Sequence, residues 1–169
     1  MYVPFEQLPP HSRVWIYQSA AELREDKLAV VRETLRSFCD QWEVHGMPLT
    51  TSFCVRYDHF IVLGVDEQQS QASGCSIDSS VHVMKQAGAL LGVDLFDRTQ
   101  VAFLRSGEMV FLGIAQLKKA FAEGIINPST PAFNNLGDTK YALDTKWLVP
   151  AAEGWLKRYI PQVSNPVND

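Results

Sequence analysis

Most of the chemistry legible in this chain lies in one stretch, Ser73-Gly74-Cys75-Ser76-Ile77-Asp78-Ser79-Ser80-Val81-His82. It joins a thiol, several hydroxyls, a carboxylate and an imidazole to the beginning of an apolar-periodic segment that reads as a helix. The first N–H groups of a helix lack internal partners and its dipole is positive there, so such a start can hold an anion or favour a thiolate. Ser73, Gly74, Ser76, Asp78 and Ser79 are therefore read as a cradle for a small anionic group. Gly74 would let the backbone approach the ligand, and Arg56 or Arg105 would be brought in by neighbouring strands. Cys75 is the candidate nucleophile, for an acyl or thiol substrate. The same residues have a plainer account, in which Ser76 or Asp78 caps the helix, the other hydroxyls solvate the turn and Cys75 is a small buried hydrophobe.

Spacing limits the catalytic version. At about 1.5 Å rise per residue, Cys75 and His82 stand roughly 10 Å apart along one helix, beyond hydrogen-bond reach. A base for Cys75 must come from elsewhere, from His59 at a hairpin tip or His45 after the first helix. Asp78 and His82, four residues apart, read as a solvated surface pair. Zinc needs clustered Cys and His ligands, whereas His11, His45, His59 and His82 are scattered singly, so neither metal nor cofactor is expected.

The 169 residues, 46% of them hydrophobic, suffice for one sizeable core. A single domain over 1–160 with a flexible tail at 161–169 is expected. A net charge of -4 without runs of like charge removes the electrostatic footprint of nucleic-acid binding and of a polybasic membrane anchor. The longest apolar run, near residues 60–65, is too short to span a bilayer, and the N-terminus has no signal-peptide pattern. Three cysteines, Cys39, Cys54 and Cys75, without C-x-x-C spacing suit a reducing compartment, so a cytoplasmic location is expected.

The elements that must position these groups follow from periodicity. Arg13–Gln18, bounded upstream by Pro9-Pro10, reads as a strand, with Ser19 as the N-cap of a long amphipathic helix carrying Leu23, Leu28, Val31, Leu35, Phe38 and Trp42. Gly46-Met47-Pro48 closes that helix. Residues 51–57 and 60–65 read as a hairpin reversing at Asp58-His59, and a second helix at 77–91 buries Ile77, Val81, Met84, Ala87 and Leu91. A second hairpin at 100–105 and 108–112 turns on Ser106-Gly107, followed by short helices near 115–123, 139–145 and 151–159. The order β-α-β-β-α-β-β is that of an α+β domain, with helices on one face of a mainly antiparallel sheet. A ferredoxin-like arrangement with a helical C-terminal extension is expected. Phe133, Trp147 and Trp155 either cover one end of that sheet or form an exposed partner-binding patch.

Val3-Pro4-Phe5, residues 13–18, the 73–82 stretch and Trp147-Leu148-Val149-Pro150 together resemble an uncharacterised bacterial protein family whose members sometimes carry the label "ABC transporter ATPase". The resemblance spans nearly the whole chain and implies a shared fold. An ATPase of that kind needs a G-x-x-x-x-G-K-[ST] loop to wrap the phosphates, and no glycine here precedes a lysine. The expected function is thus a non-catalytic domain binding a small anion or a protein. A cysteine-dependent enzyme and a structural or assembly subunit are the alternatives, and the oligomeric state is not readable from the chain.

Overall fold

A computed structural model describes residues 1–68 and 71–162. The expected tail at 161–169 lies outside the described residues from 163 onward, as do Gln69 and Ser70 of the linker before the second helix. The fold is α+β, with helices and antiparallel sheets. The residues gather into two compact units, Met1–Asp97 with Asn135–Lys146, and Arg98–Asn134 with the chain from Trp147 onward. Where composition suggested one core, each unit has its own hydrophobic clusters.

The first unit contains β1 (Arg13–Gln18), α1 (Glu25–Gln41), β2 (Glu43–Val44), β3 (Met47–Pro48), β4 (Thr50–Arg56), β5 (Phe60–Asp66) and α2 (Gly74–Leu91). Its main sheet has the order β1-β5-β4, antiparallel throughout, with Trp15 and Phe53 both opposite Leu63. β5 is apolar on both faces because both are covered. On one face Ile61 and Leu63 pack with Leu28, Val31, Leu35 and Cys39 of α1 and with Val83, Met84, Ala87 and Leu91 of α2. On the other, Gly64 leaves room for the N-terminal segment: a Cβ there would lie 2.6 Å from Leu8 Cδ1 and 3.3 Å from Phe5 Cε2.

α1 starts five residues later than Ser19 would set it, with Arg24 in the N-cap position. Ser19 is buried, its hydroxyl donating to the Ala21 carbonyl at 2.6 Å, and residue 23 donates from its backbone to the Asp58 carbonyl at 2.7 Å. Residues 19–24 thus wrap the tip of the β4–β5 hairpin before the helix begins. The expected turn after α1 is a small hairpin, β2–β3, reversing on His45 (φ 50°) and Gly46 (φ 76°), the left-handed pair that a two-residue hairpin loop needs.

The second unit contains β6 (Gln100–Arg105), β7 (Glu108–Gly113), α3 (Leu117–Ala122), β8 (Pro131–Phe133) and β9 (Leu148–Pro150), ordered β7-β6-β8-β9. α4 (Lys140–Lys146) belongs to the first unit, so the chain returns there before β9. The expected helix at 151–159 is a pair of short 3-10 turns, Ala151–Glu153 and Trp155–Tyr159. Ferredoxin-like order would place β6 in the first sheet beside β1. It pairs instead with β7 and β8. Phe133 and Trp147 are buried against each other at 5.0 Å, edge to face, which removes them from any exposed patch; Trp155 is half-buried on its own cluster.

Candidate functional site

α2 begins three residues earlier than its apolar stripe suggests, and this changes the role of nearly every residue at its start. The cap is Ser73, in extended conformation, whose hydroxyl accepts from the Ser76 backbone N–H at 3.4 Å. The Ser76 hydroxyl donates back to the Ser73 carbonyl at 2.9 Å. Neither Ser76 nor Asp78 is the cap. Both Ser76 and Ser80 are buried and begin the inward stripe, displacing Ile77 and Val81 to half-buried positions. A serine can sit there because its hydroxyl bonds within the helix: Ser80 donates to the Ile77 carbonyl at 2.6 Å, and Ser79 to the Cys75 carbonyl at 3.0 Å. Most of the hydroxyls that made the stretch conspicuous are satisfied by α2 itself.

The start of α2 is fixed from outside by Trp42, whose indole N–H donates to the buried Ser76 carbonyl at 2.9 Å. That bond draws the end of α1 and the β2–β3 hairpin against α2. Between hairpin and helix lies a pocket of about 510 Å³. Glu43, Val44, His45 and Gly46 line it on one side, and Ser73, Gly74, Cys75, Ser76 and Ser79 on the other. Cys75 is exposed, whereas Cys39 and Cys54 have thiols that burial pushes up to about 12. A Cβ at Gly74 would meet open space, so no close approach requires glycine there.

The structure divides the remaining candidates among other places. Asp78 and His82 line a neighbouring groove of about 860 Å³ between α1 and α2, with Ser79 on the border of both; among the described residues no ion pair within 4.0 Å joins the two. Arg56 lines a groove along β4, where it lies 4.0 Å from Glu6. Arg105 belongs to the second unit and donates to the Ile125 carbonyl at 2.9 Å. Neither arginine is among the residues lining the α2 pocket. His59, one of the two proposed bases, donates from Nδ1 to the Ser19 carbonyl at 2.9 Å. The other, His45, lines the pocket with Cys75. The signal for its placement was the His-Gly pair, a left-handed turn flanked by short extended segments, which Pro48 obscured by resembling a helix stop.

Chemically, the pocket offers helix-start N–H donors, one thiol, one imidazole and one carboxylate. Among the described residues no three His, Cys, Asp or Glu side chains converge to hold a metal ion, and no helix is long and apolar enough to cross a membrane. No protein family matches the chain, and neither do the curated proteins and solved structures with which it was compared.

Proposed function

We propose that the chain is a non-catalytic binding domain whose pocket between the β2–β3 hairpin and α2 takes a small polar molecule, presenting an anionic group to the helix start. The observation that carries this reading is a pocket of about 510 Å³, within the usual range for small-ligand sites, walled by two separate elements at the first turn of an 18-residue helix. The helix start favours negative charge by about 0.3–1 kcal/mol. With Glu43 opposite and no Lys or Arg in the lining, a doubly charged anion is disfavoured and a monocarboxylate or neutral hydrogen-bonding ligand is preferred.

A thermal-shift panel of carboxylated and phosphorylated metabolites tests this. Gly74→Glu places a carboxylate at a helix position that tolerates one, facing open space, and is expected to abolish a stabilising hit without unfolding the domain. Absence of any hit, or a hit that survives Gly74→Glu, sinks the proposal.

A second reading, thiol chemistry at Cys75, is favoured by one observation: His45 lines the same pocket and could take the thiol proton. In that case His45→Gln slows alkylation of Cys75 by iodoacetamide and changes its dependence on pH. An unchanged profile leaves the binding reading alone.

A further inference from the structure

We propose that the open edge of β4 is a docking site for an extended acidic peptide, which adds a strand beside Phe53 and Val55. β4 is the outer strand of its sheet, with β5 on one side only. The N-terminal segment covers just the beginning of the other side: the Val3 N–H donates to the Thr51 carbonyl at 2.9 Å, and the Thr51 N–H donates to the Met1 carbonyl at 3.0 Å. The protein therefore already adds a short parallel strand to this edge. Pro4, which lacks an N–H, ends that pairing, and the 3-10 turn Phe5–Gln7 leads the chain away.

Backbone groups alternate sides along a strand, so Phe53 and Val55 turn their N–H and C=O the same way as Thr51. Among the described residues they find no hydrogen-bond partner on that side. An unpaired edge of this kind is what an extended peptide completes.

The space and the charge above this edge fit such an occupant. A groove of about 730 Å³ runs along Phe53–Arg56, with the N-terminal segment on one side and α1 on the other. Its α1 wall carries Arg32, Arg36 and Val30, which is 52% exposed. Arg36 stacks on the Tyr2 ring at 4.6 Å, and among the described residues no carboxylate lies within 4.0 Å of it. Stacking leaves the edge of a guanidinium free for a carboxylate. Arg56 projects on the opposite face of the sheet, over Phe5 at 5.8 Å, and its contact with Glu6 is a long, exposed one of 4.0 Å that an incoming carboxylate would have to displace. Glu6 and Glu33 also line the groove, and Arg32 lies 3.9 Å from Glu25, so the surplus is the one guanidinium of Arg36, in a chain whose net charge is -4. Guanidiniums on both faces of the edge select a strand with two successive acidic residues, since neighbours in a strand point to opposite faces.

The probe is acetyl-Thr-Val-Glu-Glu-Val-Thr-amide, titrated into the isotope-labelled whole protein and followed by amide resonances. Shifts are expected at Phe53 and Val55, weakened about three- to fivefold by Arg36→Ala or by Arg56→Ala and further by high salt. The Lys-Lys counterpart should fail to bind. A version with N-methylated central residues, which cannot complete a ladder, should also fail whatever the variants do. Absence of binding, equal binding of the lysine or N-methylated peptide, or shifts confined to the α2 pocket would overturn the proposal.

Discussion

Cys75 lines the pocket at the start of α2 and Cys54 lines the groove along β4, and the two clefts are built in opposite ways. The first draws most of its polar groups from one short stretch, whose serines bond largely to one another and to their own helix. The second gathers charge from segments far apart in sequence, at residues 2–6, 29–36 and 53–56, and leaves one of its guanidiniums without a carboxylate within 4.0 Å among the described residues. A run of polar residues in sequence is thus a poor guide to unspent polarity. Neighbours in the chain can satisfy each other, while charges assembled by the fold need not be paired.

The thiols give the sharpest test of this contrast. Burial pushes Cys54, and likewise Cys39, up to about 12, so at pH 8 only about one part in ten thousand of either is thiolate. In the native protein iodoacetamide should modify exposed Cys75 at least about a hundredfold faster than the other two, as read by peptide mass spectrometry. Guanidinium should erase the difference. The same burial couples to stability: a thiol whose folded pKa lies above the unfolded value of about 8.5 stabilises the fold below that pH and loses the contribution as pH rises toward 12. The urea midpoint should therefore fall from about pH 9 upward, and less steeply in Cys39→Ala measured against its own value at pH 7. Fast native labelling of Cys54 would mean that the β4 groove is not closed over its floor.

A smaller effect is expected at Trp42, which follows α1 and anchors the start of α2. Trp42→Phe keeps the aromatic packing against Trp15 and Phe38 but removes the donor to the Ser76 carbonyl, which is left with its helical hydrogen bond alone. The cost should be about 0.5–1.5 kcal/mol by urea unfolding. Hydrogen exchange should quicken at the β2–β3 hairpin and the first turn of α2, while β4 amides stay protected. Uniform loosening would mean that the α2 pocket has no anchor of its own.

The parts of this fold legible in the sequence are those whose pattern is local. Arg13–Gln18 is a short run rich in β-branched and aromatic residues behind Pro9-Pro10, and Ser106 and Gly107, both at positive φ, turn a hairpin that the residues themselves announce. The α1 stripe of Leu28, Val31, Leu35 and Cys39 has helical spacing. Pairings of two or three residues, β2 with β3 and β8 with β9, are too short to show periodicity, and only the folded sheet makes Pro131 opposite Pro150 a strand pair. The division of strands between two sheets was equally hidden, because strand order depends on contacts that no local pattern encodes. Of the candidate site, the stretch and Cys75 were legible. His45 was legible only as one of two possible bases, the far wall at Glu43–Val44 was not legible, and Arg56 faces a different groove.

The smallest expected effect separates the two accounts of how α2 begins. Apolar periodicity points to a start near Ile77 capped by Ser76 or Asp78, whereas the backbone turns helical at Gly74 behind Ser73. A lost N-cap costs about 1 kcal/mol, and the 3.4 Å length of the Ser73 bond places this one in the lower half of the usual range. Ser73→Ala should therefore lower stability by about 0.5–1 kcal/mol. Asp78→Ala removes an exposed side chain one turn into the helix, where Ala has the higher helix propensity, and should change stability by no more than about 0.5 kcal/mol. Urea midpoints for both variants decide it. If Asp78→Ala proves the costlier, the helix starts where its apolar stripe does, Cys75 leaves the first turn, and the pocket loses the N–H donors on which its proposed ligand depends.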